Sequence, residues 1–193
     1  MRKRVLGPDP LPSNAPDGHQ WLNLQEMAEV EVTSEADGYP AESAFNFGVG
    51  PGWRAASPGE QRIRLAFDQP RSIQRMCLQF HESEVARTQE FTVRWSGGPS
   101  EPLKEIVRQQ WNFSPNGSTM ESEDYIVDLK AVSILELTMD PDRGAGEALA
   151  TLADWRLVLG FDIKRSKSTG VSSSVGTRVA VRYPAPSWEP QIQ

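Results

Sequence analysis

The sequence contains very little cysteine: Cys77 is the single one among 193 residues. Without a second cysteine no disulfide can form within the chain, which excludes the small disulfide-stapled scaffolds typical of secreted domains. Cys77 lies inside the run IQRMCLQF. Because its neighbours are largely apolar and no convincing base stands near it in sequence, we interpret it as an inert core thiol and not as a nucleophile.

Long apolar runs are also missing. No window approaches the roughly 20 apolar residues of a membrane-spanning helix. The first residues, MRKRVLGPDPLPSNAPDG, have the basic side chains of a signal peptide but lack its apolar stretch of about 7 to 15 residues. We therefore expect a cytoplasmic protein without a membrane partner.

Histidine is scarce, and the common catalytic motifs are absent. The two histidines, His19 and His81, have no local pattern of cysteine or carboxylate residues of the kind found in zinc sites. The sequence has no G-x-S-x-G, no H-E-x-x-H and no glycine-rich phosphate loop between a strand and a helix. These absences predict a protein that is not an enzyme.

Positive charge is scarce in the middle of the chain. Residues 21–159 carry 12 basic and 22 acidic side chains, a net charge of −10, whereas the whole chain carries −6. A surface of this sign repels phosphate groups, so nucleic acid and anionic membranes are not expected as partners. The basic stretch KRSK (164–167) is interpreted as part of a solvated tail.

The feature that the sequence has in abundance is the alternation of apolar and polar residues. The runs RIRLAF (62–67) and RMCLQF (75–80) place an apolar residue at every second position, which is typical of strands with one buried face. Ile73 is out of phase with the second run, which predicts a bulge or a change of partner sheet. Short helical turns are indicated at PAESAF (40–45) and GEALATLAD (146–154). Further candidate strands are EFTVRW, KEIVRQQWNF, YIVDL, SILELTM and DWRLVLGF. About eight strands with almost no helix predict an all-β sandwich.

Composition divides the chain into three parts. Residues 1–19 are rich in proline, glycine, asparagine and aspartate, which predicts a disordered N-terminal segment. Residues 20–162 hold the candidate strands and form the expected single domain. Residues 163–193 include STGVSSSVGT and are interpreted as a flexible tail rich in serine and glycine, with TRVAVRYP as a candidate short strand.

The order of these motifs resembles the discoidin domain, also called the coagulation factor 5/8 type C domain. This domain is a galactose-binding-like jelly-roll sandwich that is also seen in many carbohydrate-binding modules. The resemblance implies a jelly roll of about eight strands over residues 20–162, with a ligand site in the loops at one end. The matching pieces are EVEVTSEADGYPAESAFN (29–46), GWRA (52–55), QRIRLAFDQPRSIQRMCLQF (61–80) and ALATLADWRLVLG (148–160).

The resemblance also bears on calcium. Sugar-binding members of this group often build a structural calcium site from an Asp-Gly pair, a threonine two positions before the loop tryptophan, and a glutamate in the last strand. Here the matching positions hold Asn46, Pro51 and Asp154. Calcium needs several oxygen ligands, so the resemblance implies at most a structural calcium site at Asn46 and Asp154, and no other cofactor is expected.

In such domains aromatic rings stack on the apolar faces of sugars, and fixed polar groups bind the hydroxyls. By position, the candidate ligand-binding residues are Tyr39, Trp53, Arg54, Arg87, Trp111 and Asn112. Several have a structural alternative. Trp53 can cap the core, Trp111 can pack on the core, and Tyr39 can form a turn before Pro40. Arg87 can form an ion pair with a nearby glutamate.

Two functions follow from this interpretation. The first is a non-catalytic binding module that recognises a carbohydrate through the loops at one end of the sandwich. The alternative is an intracellular subunit of the same fold that binds a protein partner, which the single cysteine and the polar ends favour. The sequence carries no signal for an oligomeric state.

Overall fold

A computed structural model describes residues 21–46, 50–144 and 146–160. The predicted disordered segment 1–19 and the predicted tail 163–193 lie outside these residues. Nearly all regular structure in the described part is strand, which confirms the all-β fold class. No described helix is long and apolar enough to cross a membrane.

The elements are the short helix α1 (Leu24–Met27), a 3-10 helix (Ala41–Phe45), and the strands β1 (Ala28–Val32), β2 (Trp53–Arg54), β3 (Gln61–His81), β4 (Arg87–Ser96), β5 (Lys104–Phe113), β6 (Met120–Asp140), β7 (Thr151–Leu152) and β8 (Asp154–Leu159).

Two long antiparallel strands, β3 and β6, connect the whole fold. Each has 21 residues and contributes to two layers. The front sheet contains β1, residues 61–67 of β3, residues 132–140 of β6, β4 and β5 in that order. The back sheet contains residues 120–129 of β6, residues 73–81 of β3, and β8.

The two long strands pass from one layer to the other through irregular backbone. The register of β3 against β6 shifts between Ala66 and Arg75, around Ile73. The predicted bulge at Ile73 is therefore confirmed. On β6 the corresponding position is Ala131, whose φ of 53° is in the left-handed region. YIVDL and SILELTM, predicted as two strands, belong to one strand because the chain bends there without losing its partner β3.

One hydrophobic core lies between the layers. The rings of Phe80 on the back sheet and Phe91 on the front sheet have centroids 4.9 Å apart, so the layers are in direct contact. Phe45 of the 3-10 helix packs against Trp155 of β8 at 6.2 Å. The alternating residues predicted to face inward are buried: Ile63, Leu65, Phe67, Met76, Leu78 and Phe80. Each such side chain stabilises the fold by about 1.5 to 3 kcal/mol relative to an exposed one.

The structure confirms one short helical turn and corrects the other. PAESAF forms the 3-10 helix Ala41–Phe45. GEALATLAD forms no helix; its later residues belong to β7 and the start of β8. The reason is tertiary pairing, because Thr151 and Leu152 pair with Arg54 and Trp53 of β2 and this overrides the local helical preference.

The pairing of β2 with β7 closes one end of the sandwich and requires a glycine. Gly52 has a φ of +76°, and a Cβ atom on it would lie 2.6 Å from the carbonyl oxygen of Leu152 and 2.9 Å from Cα of Ala153. Both the left-handed backbone and the close approach exclude a side chain. The glycine before Trp53 thus lets the loop press against β7 at the end of the sandwich.

Candidate functional site

An open pocket lies at the end of the sandwich that β2 and β7 close. Its cavity volume is about 190 Å³, which is smaller than the roughly 300 to 1,000 Å³ of pockets that enclose a drug-sized ligand. Three parts of the chain form its walls: Tyr39 with residues 51–54, the last residue of β3 with the three residues after it, and β7 with the residue after it. The lining residues are Tyr39, Pro51, Trp53, Arg54, His81, Glu82, Ser83, Glu84, Thr151, Leu152 and Ala153.

Hydrogen bonds to backbone carbonyl groups join these walls. The hydroxyl of Thr151 donates to the carbonyl of His81 at 2.8 Å. The N–H of Ala153 donates to the carbonyl of Gln79 at 2.8 Å, and the N–H of Arg54 donates to the carbonyl of Tyr39 at 3.4 Å. The pocket is therefore built from segments that are distant in sequence but are joined by direct hydrogen bonds.

Tyr39 and Arg54, two of the predicted ligand residues, lie together at the rim. Tyr39 is one of the few large hydrophobic residues with substantial exposure, at 36 %, among the residues described. The guanidinium carbon of Arg54 lies 6.0 Å from the centre of the Tyr39 ring. Arg54 is half-buried; within the described residues it has no ion pair, and its buried Nε has no hydrogen-bond partner. The rim thus combines an exposed tyrosine with a half-buried guanidinium that no carboxylate neutralises.

Trp53 is placed in the core. Its side chain is only 1 % exposed, and its Nε1 donates to the carbonyl of Ser34 at 3.1 Å. An indole ring in this position has no free face on which a sugar could stack. The alternative that Trp53 caps the core is therefore the one that the structure supports, and the prediction that its ring stacks on a ligand is corrected. Trp53 contributes only to the floor of the pocket.

Arg87 is also buried. Its side chain has no exposed surface and forms an ion pair with Glu82 at 3.2 Å. Burial lowers the pKa of Arg87, while the nearby carboxylate of Glu82 acts in the opposite direction. The predicted direct contact of Arg87 with a ligand is therefore corrected, and the alternative of an ion pair with a nearby glutamate is confirmed.

The remaining two predicted ligand residues lie on β5, outside the pocket. Trp111 is half-buried and packs against the core. Asn112 is exposed, and its Oδ1 accepts a hydrogen bond from the hydroxyl of Thr88 at 2.7 Å. Both were selected because they stand near a loop in sequence. Neither lines the pocket, so the structure does not bring them together with Tyr39 and Arg54, and their role in binding a ligand stays a prediction.

The calcium candidates do not lie in an acidic cluster. The carboxylate of Asp154 is buried and contacts Nε of Arg156 at 2.5 Å. Burial raises the pKa of Asp154 to about 6, against the opposing effect of Arg156. Asn46 is exposed at the end of the 3-10 helix. No group of three or more histidine, cysteine, aspartate or glutamate residues in the described ranges could hold a metal ion. The structural calcium site stays a prediction.

Sequence reasoning missed the wall that follows β3. His81, Glu82 and Glu84 belong to the stretch HESE, directly after the apolar run RMCLQF. Oε1 of Glu82 accepts hydrogen bonds from the backbone N–H groups of Glu84 at 2.8 Å and Val85 at 3.1 Å. A cluster of polar residues at the point where a buried strand ends was the available signal.

No protein-family model matches the sequence, and no curated protein sequence matches it. Solved structures do match. The family 32 carbohydrate-binding module of Clostridium perfringens NanJ, in complex with galactose, has a TM-score of 0.52 at 13 % identity and covers 72 % of this chain and 97 % of that chain. The CBM32 of AlyQ, in complex with 4,5-unsaturated mannuronic acid, has a TM-score of 0.52 at 12 % identity over 72 % and 98 % of the two chains.

A third match is CpGH89CBM32-5 of Clostridium perfringens, in complex with GalNAc-β-1,3-galactose. It has a TM-score of 0.51 at 16 % identity and covers 72 % of this chain and 99 % of that chain. At these identities the likeness concerns the fold. The described chain therefore has the galactose-binding-like β-sandwich of family 32 carbohydrate-binding modules, a fold that these modules share with discoidin domains.

Proposed function

We propose that this protein is a non-catalytic carbohydrate-binding module and that its ligand occupies the pocket beside Tyr39 and Arg54. The observation that carries the proposal is the pairing of an exposed aromatic residue, Tyr39, with the guanidinium of Arg54, which has no ion pair among the described residues, at the rim of an open pocket. The fold similarity adds support, because the structural neighbours named above are carbohydrate-binding modules.

The chemistry of the pocket suits a hydroxylated ring. The face of Tyr39 offers apolar area to the C–H side of a sugar at little entropic cost. Arg54 can donate to hydroxyl oxygens, and the carboxylate of Glu84 can accept from hydroxyl groups. The charge of Glu82 is balanced by Arg87 behind it. A neutral sugar residue with both donors and acceptors fits this arrangement better than a strongly charged ligand.

The alternative of an intracellular subunit that binds a protein partner has less support. The structural neighbours are modules for which sugar complexes are known. The rim residues also form a concave site, whereas protein interfaces commonly use broad surfaces of about 800 Å² per partner.

A glycan array probed with the full chain tests the proposal, followed by calorimetric titration with the sugar that binds best. We expect saturable binding of a neutral glycan. Tyr39→Ala and Arg54→Gln should each raise the Kd by about tenfold or more, which corresponds to the loss of one good contact.

Two variants serve as matched controls. Ile126→Ala removes a hydrophobic side chain that is 53 % exposed and lies away from the pocket. Arg108→Gln removes an exposed arginine of β5. Both should bind as the wild type does. Binding that survives Tyr39→Ala and Arg54→Gln would refute the location of the site, and a blank array from folded protein would refute carbohydrate as the ligand class.

A further inference from the structure

A fully buried arginine stands directly behind the pocket wall. The side chain of Arg87 has no exposed surface, while its partner Glu82, at 11 % side-chain exposure, lines the pocket. Burial of a charge is costly unless the charge is paired and hydrogen-bonded. The contacts of Arg87 therefore indicate which parts of the structure depend on it.

On one side Arg87 binds the segment that leads into β7. Its Nη1 donates to the carbonyl of Leu149 at 2.7 Å, and its Nη2 lies 3.5 Å from the hydroxyl oxygen of Thr151. The guanidinium also lies over the ring of Phe113 at 5.6 Å. Thr151 and the two residues after it form one wall of the pocket. Arg87 thus fixes the position of this wall from behind.

On the other side Arg87 binds the loop that follows β3. Its Nη2 lies 3.2 Å from Oε2 of Glu82. The second oxygen of the same carboxylate, Oε1, accepts the N–H groups of Glu84 and Val85. One carboxylate therefore connects Arg87 to the backbone of the whole loop.

We infer that Arg87 is a positioning residue of the pocket: held between Glu82 and the carbonyl of Leu149, it fixes the loop 82–85 against the segment 149–153. The consequence of this inference for binding rests on the proposed function: the pocket has its shape before the ligand binds. A preformed site avoids the entropic cost of ordering a loop on binding.

The geometry requires a planar guanidinium. Arg87 reaches a carboxylate with one nitrogen and a backbone carbonyl with another. Lysine has a single ammonium group on a flexible stem, which does not reproduce the fixed fork of donors. Arg87→Lys keeps a positive charge but should hold the carboxylate of Glu82 less firmly, because a single ammonium group would serve both that carboxylate and the carbonyl of Leu149.

Amide hydrogen exchange of the full chain, measured by NMR, tests the inference without any ligand. In Arg87→Met and in Arg87→Lys we expect the amides of Glu84 and Val85 to exchange about tenfold faster or more, because Glu82 is no longer held in place. Amides in the central parts of β3 and β6 should exchange as in the wild type. If Arg87→Met does not fold, Arg87→Lys decides the question alone.

Arg64→Met is the matched control. Arg64 binds the buried carboxylate of Glu136 at 3.0 and 2.7 Å on the front sheet, away from the pocket. Its loss should leave the amides of Glu84 and Val85 unchanged. Wild-type exchange of these amides in a folded Arg87 variant, or equal acceleration in Arg64→Met, would overturn the inference.

A titration with the sugar that the array identifies gives the second readout. Arg87→Lys should raise the Kd by about tenfold at a temperature at which the variant is fully folded. An unchanged Kd alongside accelerated exchange would overturn the role in binding. If no sugar binds at all, the proposed function fails, whereas the exchange experiment still decides whether Arg87 holds the loop.

Discussion

Replacement of Trp53 by alanine distinguishes between a structural role of this side chain in the core and a role in ligand binding. The side chain is 1 % exposed, and its Nε1 donates to the carbonyl of Ser34. A buried tryptophan removes roughly 150 to 250 Å² from water, worth about 4 to 6 kcal/mol at roughly 25 cal/mol per Å². Measured losses for such truncations are about 3 to 5 kcal/mol. We expect Trp53→Ala to lower the free energy of unfolding by that amount.

Urea unfolding followed by far-UV circular dichroism measures this loss, with thermal unfolding as a second assay. For a domain of this size the Tm should fall by roughly 6 to 20 °C. Trp53→Phe keeps most of the apolar contact but leaves the carbonyl of Ser34 without its donor, so it should cost about 1 to 3 kcal/mol. Tyr39→Ala, at the exposed rim, is the control and should cost less than about 1 kcal/mol.

The result that would refute this reasoning is a small effect. If Trp53→Ala lowers the free energy of unfolding by less than about 1 kcal/mol, the ring does not fill the core. A stable Trp53→Ala protein that had lost sugar binding would restore the ligand role that the burial of the ring argues against.

Two further predictions concern buried ionisable groups. Burial raises the pKa of Asp154 from 3.8 to about 6, so the folded state binds the proton more tightly than the unfolded state. Its stabilising contribution is complete below about pH 4 and is lost as the pH rises through about 6, a change of about 3 kcal/mol. Urea unfolding at several pH values between these limits gives the free energy of unfolding as a function of pH. It should fall more steeply with rising pH in the wild type than in Asp154→Asn, and an equal pH dependence in the two proteins would contradict the raised pKa. Burial also raises the pKa of Cys77 to about 12, so a thiol reagent at mildly alkaline pH should label Cys77 only after unfolding. Rapid labelling of the native protein would show that this thiol is accessible.

The sequence permitted prediction of the layers of the fold because alternation reports which side of a strand is buried. The phase break at Ile73 marked the bend of β3 for the same reason. Alternation carries no information on which strands pair with each other. The sequence therefore did not reveal that YIVDL and SILELTM pair with the same strand and form one continuous strand, β6, through Ala131. The pairing of β7 with β2 was likewise hidden behind a locally helical composition.

The candidate site was predicted only in part. Tyr39 and Arg54 follow from two successive loops that the resemblance identified, and the structure places both at the pocket. The burial of Arg87 could not be predicted, because it depends on Leu149 and Glu82, which approach it from two different segments. Trp111 stands near a loop in the sequence, but its side chain packs on the core side of an edge strand. Nearness to a loop in sequence does not determine the direction of a side chain.

The passage of β3 and β6 through both sheets has a consequence for how the protein folds. Neither sheet can form alone, since each needs part of the same two strands. The pocket walls meet through contacts such as that of Thr151 with His81, which are 70 residues apart along the chain. Chains dominated by such distant contacts fold slowly, in milliseconds to seconds. The pocket is therefore completed late, and a ligand that binds it will favour the finished topology over every partly folded state.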